Sequence, residues 1–302
     1  MCVLSHIAFR KIFGRYESRA DGRPSASVAR MMAPDFDGYL RDREANRKRL
    51  EALPFEKIVL ESADHIPLTA HFYRNPVPGC RTAILVHGYR SCGFEGYATV
   101  GLAYIRQGYN ILLPDNRACG ESGGKWSTFG ILESKDTALW AEYLARRFPQ
   151  DRIILHGCSL GGATVCFLSS QKLPDSVRAI VSDCAFSDIE EQLAYILRTM
   201  LHIPPYPLLW GVEGWFRLAT GLSVRAYSPL ESVKHARLPI FFVHGACDGY
   251  VLPKNVQRLY QACCTEKELL VIPGAGHAAA HRFGGEAYYG PIFAFLDRHT
   301  EA

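Results

Sequence analysis

From Thr82 to the C-terminus, short continuous apolar runs alternate with longer helical segments, and this alternation restricts the possible folds more than any other feature. The apolar runs are Thr82–Val86, Asn110–Pro114, Arg152–Leu155, Ala179–Ser182, Pro239–Val243 and Glu268–Ile272. Helical stretches follow at Gly96–Gln107, through Leu139–Leu144, after Ser159, at Val256–Cys263 and from Glu286. A strand apolar on both faces must be covered on both faces, so the pattern predicts an α/β fold with a parallel sheet between two helical layers. Ahead of it, Lys57–Glu61 and Ile66–Tyr73 read as a hairpin turning at Ala63-Asp64-His65. With 302 residues, 48% apolar and 21% charged, the chain can bury one large core.

Two stretches fall outside the rhythm. Residues 1–53 hold helical fragments and the breaker-rich Asp21-Gly22-Arg23-Pro24-Ser25, with poor apolar periodicity. They are expected to form an extension across the outside of a main domain at 54–302. Between Asp183 and Leu238 lie more than fifty residues, far more than a simple crossover needs. They include the aromatic segment Pro204–Phe216, and the insertion at about 185–236 is expected to be a small helical cap lining an apolar pocket.

The net charge of +4 comes from interleaved signs, as in Arg41–Arg49, which reads as a solvated helix face and argues against a nucleic-acid partner. The ten cysteines have no paired spacing, so free thiols in a reducing, cytoplasmic setting are expected. Residues 1–10 lack a secretory apolar core, and no stretch is long enough to span a bilayer. No stable membrane insertion is predicted.

His156-Gly157-Cys158-Ser159-Leu160-Gly161-Gly162 carries the chemistry. A strand, a serine between two glycines and a helix make a nucleophile elbow, whose sharp turn exposes the serine hydroxyl at the sheet edge. Strand and helix pass so closely there that the flanking positions must lack side chains. The thiol of Cys158 is not placed to replace that hydroxyl. A serine needs a base, and the base needs a third group to orient it. In a parallel sheet these gather beyond the strand carboxyl ends, in the order serine, acid, histidine. Asp248 follows the run ending at Val243, and His277 follows the run ending at Ile272. Ser159, Asp248 and His277 are therefore the candidate catalytic residues, with Asp183 the rival acid and His281 the fallback base. The oxyanion donors expected are the N–H of Leu160, at the positive end of its helix, and that of Tyr89, in the His87-Gly88-Tyr89-Arg90 turn. His87 belongs to that turn and is expected to be structural, and the Tyr89 ring is expected to face the cavity.

These features, together with Asp115-Asn116-Arg117-Ala118-Cys119-Gly120-Glu121-Ser122-Gly123, resemble the α/β-hydrolase superfamily from about Pro54 onward. Leu53-Pro54-Phe55-Glu56 after a charged helix, and the short cap, resemble its bacterial serine aminopeptidase-like branch. The resemblance implies an eight-stranded, mostly parallel sheet with one antiparallel strand near its start. It also implies structural rather than catalytic roles for Asp115 and Arg117.

Competing chemistries lack their residues. Serine at the apex excludes the aspartate nucleophile of related hydrolases. Trp126 after Gly124-Lys125 breaks a phosphate loop, and no dinucleotide glycine motif occurs. No metal-ligand cluster stands at usable spacing, so neither metal nor cofactor is expected. The sequence thus predicts a serine hydrolase acting on a small-molecule acyl substrate. An ester is favoured over an amide, peptide or thioester, a lipase at a lipid surface is an alternative, and a non-catalytic binding protein is disfavoured.

Overall fold

The strand runs form a single sheet in a computed structural model that describes residues 3–16, 36–76 and 80–301. Its strands are β1 (Glu56–Glu61), β2 (Pro67–Tyr73), β3 (Arg81–Val86), β4 (Asn110–Pro114), β5 (Arg152–Cys158), β6 (Val177–Asp183), β7 (Ile240–Gly245) and β8 (Lys267–Ile272). They lie side by side in the order β1-β2-β4-β3-β5-β6-β7-β8. Only β2 runs against the rest, pairing antiparallel with both β1 and β4. The sheet is thus eight-stranded and mostly parallel, with one reversed strand near its start.

Alternation along each strand fills two cores. Ile84 and Val86 of β3 join Trp140, Leu155, Val165 and Phe242 on one face. Ala83 and Leu85 join Tyr104, Ile154, Phe241 and Phe295 on the other. Helices α4 (Ile131–Arg147), α5 (Leu160–Leu168) and α9 (Lys254–Ala262) supply the first layer, and α3 (Gly93–Arg106) and α11 (Glu286–Thr300) the second. Both faces of the central strands β3 to β7 are buried, which is why their runs carry no polar alternation.

Helix α1 (Val3–Phe13) lies at the surface with Val3, Leu4 and Ile7 exposed, and turns inward a buried stripe of Ser5, Phe9 and Phe13 at four-residue spacing. Phe9 packs on Trp126, with ring centroids 4.6 Å apart. Phe13 packs on Phe129 and Phe216, at 5.0 and 4.6 Å. Three residues are too short a stripe to stand out locally, and their partners are more than a hundred positions away. By contrast, α2 (Phe36–Glu51) keeps a charged outer face with the exposed pairs Arg47–Glu44 and Arg47–Glu51, and buries Leu50. The segment 21–25 lies outside the described residues.

The insertion holds α6 (Ile189–Met200), α7 (Leu208–Thr220) and the short α8 (Pro229–Val233). Its aromatic segment turns toward α1 and solvent. Trp215 meets His6 at 4.4 Å and Phe216 meets Phe13, while Tyr206 and Trp210 are exposed. A Cβ at Gly211 would stand 2.6 Å from that of Ser5, so α1 and α7 touch backbone to side chain. Helix α6 instead reaches the loop after β7, where Gln192 Nε2 donates to the Tyr250 carbonyl at 2.7 Å. Tyr195 OH donates to that of Gly249 at 2.8 Å. Among the described residues, no helix is long and apolar enough to cross a membrane.

Candidate active site

Ser159 occupies the turn between β5 and α5 with φ 56° and ψ −114°, a sparsely populated conformation held by its surroundings. A Cβ at Gly157 would stand 2.0 Å from the Gly161 carbonyl oxygen, and one at Gly161 1.8 Å from that of Val86. Neither glycine can therefore carry a side chain while strand and helix keep this approach. The Ser159 N–H donates to the Asp183 carbonyl at 2.8 Å, fixing the turn to the end of β6.

The loops after β7 and β8 bring the other two groups to this turn. His277 Nε2 lies 2.8 Å from Ser159 Oγ, and His277 Nδ1 lies 2.8 Å from Asp248 Oδ2. Asp248 Oδ1 accepts the N–H groups of Tyr250 and Val251, at 2.9 and 2.8 Å. His244 Nε2 donates to the Val251 carbonyl at 2.8 Å and approaches Asp248 Oδ2 at 3.3 Å. Burial opposes the Asp248 charge, but His277 and His244 outweigh it and hold the carboxyl well below its ordinary range. Burial likewise opposes protonation of His277, and the Asp248 carboxylate overrides it, raising the imidazole well above 6.5. Ser159 is only 8% exposed and His277 6%, so this chain of groups works in a largely desolvated place.

That balance sets a pH dependence. A histidine acting as base must be neutral, so activity should rise with pH through the His277 pKa. The acid limb of kcat/KM is expected at an apparent pKa above 6.5. A limb at or below that value in the pH–rate profile would mean that Asp248 does not govern the base.

Asp183 and His281 are placed elsewhere. Asp183 Oδ2 accepts the Tyr288 hydroxyl at 2.8 Å, and burial pushes its carboxyl up to about 6. A carboxyl that resists ionising is poorly suited to hold an imidazolium. His281 sits on α10 (Ala280–Gly284) against the Tyr288 ring, at 6.2 Å.

The loop after β3 crosses beside the elbow. A Cβ at Gly88 would meet the Ser159 Cβ at 3.4 Å, which places this backbone against the serine. Among the hydrogen bonds of the described residues, neither the Tyr89 N–H nor the Leu160 N–H has an acceptor. His87 is part of the turn, accepting the Asn116 N–H on Nε2 at 2.9 Å, with Nδ1 donating to the Gly88 carbonyl at 2.8 Å. The Tyr89 ring departs from its expected direction toward the cavity. It packs on Phe129 at 5.2 Å, and its hydroxyl donates to the Ile12 carbonyl at 2.7 Å. The Arg90 guanidinium likewise donates to the Lys11 carbonyl. Helix α1 therefore clasps this loop through its C-terminal carbonyls, as no local signal indicated.

The loop after β4 is architectural. Asp115 accepts the Gly93 and Glu121 N–H groups, each at 2.8 Å. Arg117 spans Asp136 at 2.7 Å and Asp64 at 2.9 Å. Sequence reasoning missed His244, although it stands four residues before Asp248. It also missed a buried network under β5, in which His156 Nδ1 is 3.0 Å from Tyr104 OH and Nε2 is 3.4 Å from Tyr288 OH. Cys184 is a further neighbour. Its thiol lies 3.7 Å from that of Cys158, and its Sγ forms with Asp248 and His277 a cluster of donor atoms within 4.8 Å of one another. The carboxylate and imidazole of that cluster are already bonded to each other.

The fold around this site has counterparts among known proteins. Residues 84–209 match a family model described as the alpha/beta hydrolase fold. The uncharacterized protein YqkD of Bacillus subtilis is 28% identical over 222 residues, 73% of this chain and 72% of that protein. The α/β-hydrolase domain-containing protein WAV2 of Arabidopsis thaliana is 25% identical, covering 82% of this chain and 80% of its own length. Among solved structures, the Pyrococcus furiosus esterase Pf2001 superposes with a TM-score of 0.68 at 23% identity, covering 84% of this chain and 94% of that one. Est1E of Butyrivibrio proteoclasticus, solved with ferulic acid, gives 0.62 at 19% identity, covering 80% and 98%. These matches do not single out the aminopeptidase-like branch. Sheet order, elbow and sequence likeness agree at the broader level, and the chain has the α/β-hydrolase fold.

Proposed function

We propose that this protein is a serine hydrolase that cleaves carboxylic esters through an acyl-enzyme. The observation that carries the reading is the unbroken chain of 2.8 Å contacts from Ser159 Oγ through His277 to Asp248. In this reading His277 takes the serine proton as Oγ attacks the acyl carbonyl. Asp248 holds the imidazole tautomer and balances its charge, and the N–H groups of Tyr89 and Leu160 receive the developing oxyanion. His277 then returns the proton to the leaving alcohol, and water repeats the sequence to release the acid. The ester reading draws support from an esterase among the structural neighbours, Pf2001. A cytoplasmic site of action is part of the proposal, supported by nine described cysteines that are all free.

The test is a panel of p-nitrophenyl esters of graded acyl length, run beside matched anilides and thioesters. Ester turnover should exceed anilide turnover, and a fluorophosphonate probe should label the protein and stop it. Labelled protein that cleaves anilides and thioesters but no ester would replace the ester assignment. A second reading, hydrolysis at a lipid surface, draws support from the exposed Leu201, Ile203, Tyr206 and Trp210 of the insertion. It requires a jump in rate once the substrate aggregates, and a rate saturating below that concentration excludes it.

The clasp between α1 and the oxyanion loop gives a further expectation. Tyr89→Phe deletes the hydroxyl that meets Ile12 and leaves the Tyr89 backbone in place. The loss should be roughly 2- to 10-fold in kcat, the value of one hydrogen bond, with KM within about twofold. Steady-state kinetics decide the point, and an unchanged kcat would show that the loop keeps its geometry without the Tyr89–Ile12 hydrogen bond.

A further inference from the structure

Away from Ser159, an open pocket of about 310 Å³ lies between α2, α3 and the corner formed by α10 and α11. Four arginines line it, Arg43, Arg49, Arg106 and Arg282, against the two carboxylates Asp42 and Glu95. The acids are already engaged. Arg43 pairs with Glu95 at 3.3 Å, and Arg282 with Asp42 at 3.1 Å. Arg49 reaches only the Asn46 side-chain oxygen at 3.4 Å, and among the described residues neither it nor Arg106 meets a carboxylate. The pocket therefore keeps two uncompensated guanidinium groups. The Tyr289 ring forms part of the wall.

The size fits a ligand at the small end of the range for small-molecule sites. The charge calls for an anion, and guanidinium groups pair with phosphate oxygens through parallel N–H donors. A concave wall carrying its own acids suits a discrete small ligand rather than an extended polyanion. We propose that this pocket binds a small organic phosphate carrying at least two negative charges, held by Arg49 and Arg106. Arg43 and Arg282, fixed by their carboxylates, form the walls. The site is independent of the chemistry at Ser159.

Calorimetric titration with inorganic pyrophosphate, at fixed ionic strength and with citrate in a parallel arm, tests the proposal without reference to hydrolysis. The expected result is saturable one-to-one binding of pyrophosphate, tighter than citrate, and weakened at least about tenfold in the Arg49→Ala/Arg106→Ala double variant. Both side chains are exposed, and unchanged circular dichroism would confirm the variant's fold. The single variant Arg106→Gln, with a smaller loss expected, provides a second reading should the double variant misfold. Absence of saturable binding, or equal binding by these variants, would overturn the site. Equal affinity for citrate would overturn the assignment to phosphate.

Discussion

Ser159→Ala is expected to lose roughly a millionfold in kcat on short p-nitrophenyl esters and to take up no fluorophosphonate label. The substitution removes the oxygen that faces His277 Nε2 at 2.8 Å and leaves the base with no proton to take. Cys158 is the adjacent nucleophile, but it does not stand in. Its thiol is turned toward Cys184 at 3.7 Å. The Cys184 contact would lower its pKa, yet burial and the neighbouring Asp183 and Asp248 charges leave it raised. Alanine keeps the Cβ and meets the same backbone geometry, so thermal stability should barely change. Label retained by the alanine variant would place the nucleophile elsewhere and sink the assignment.

Asp248→Asn is expected to cost about 10⁴-fold in kcat, and the structure gives a reason for so large an effect. The Tyr250 and Val251 N–H groups hold one carboxylate oxygen from the loop side. An asparagine would give its carbonyl oxygen to those donors and turn its NH₂ toward His277 Nδ1. That nitrogen must then accept, which puts the imidazole proton on Nε2, facing the serine. A base protonated on that side cannot take the Ser159 proton. Asp183→Asn is the control, because Asp183 lies close by but bonds Tyr288 and not His277. It should change kcat by less than about tenfold, the worth of a hydrogen-bond change next to the elbow. Steady-state kinetics on the two variants side by side decide the matter. Losses of similar size would return Asp183 to contention as the acid.

Much of the fold was legible because its signals are local. Runs such as Ala83-Ile84-Leu85-Val86 show a strand covered on both faces without reference to any partner. Gly157 and Gly161 announce a close backbone crossing, where an added Cβ would stand only 2.0 and 1.8 Å from a carbonyl oxygen. The order of Ser159, Asp248 and His277 at strand ends was equally readable, since a parallel sheet gathers its loops at one edge. The direction of the Tyr89 ring was not. It depends on Ile12, a partner 77 positions away that no spacing rule connects to it. The division of labour in the aromatic insertion was not legible either, because Trp215 and Phe216 are apolar whether they line a pocket or pack on α1.

By itself, the amino-acid sequence determined the periodicities, the turn chemistry and the residue types, and so the class of fold and the candidates for nucleophile, acid and base. Tertiary structure alone decided which loops became neighbours. The order β4-β3-β5 sets the Gly88 turn beside the elbow, and β7 and β8 deliver Asp248 and His277 from the other side. It also set Asp248 rather than Asp183 beside His277, seated α1 against the insertion and the rings of Trp126 and Phe129, and left two arginines without a carboxylate partner in a pocket. The physical reason is range. Backbone preference and apolar period act within a few residues, whereas strand neighbours and helix seats follow from summed burial between segments distant in the chain.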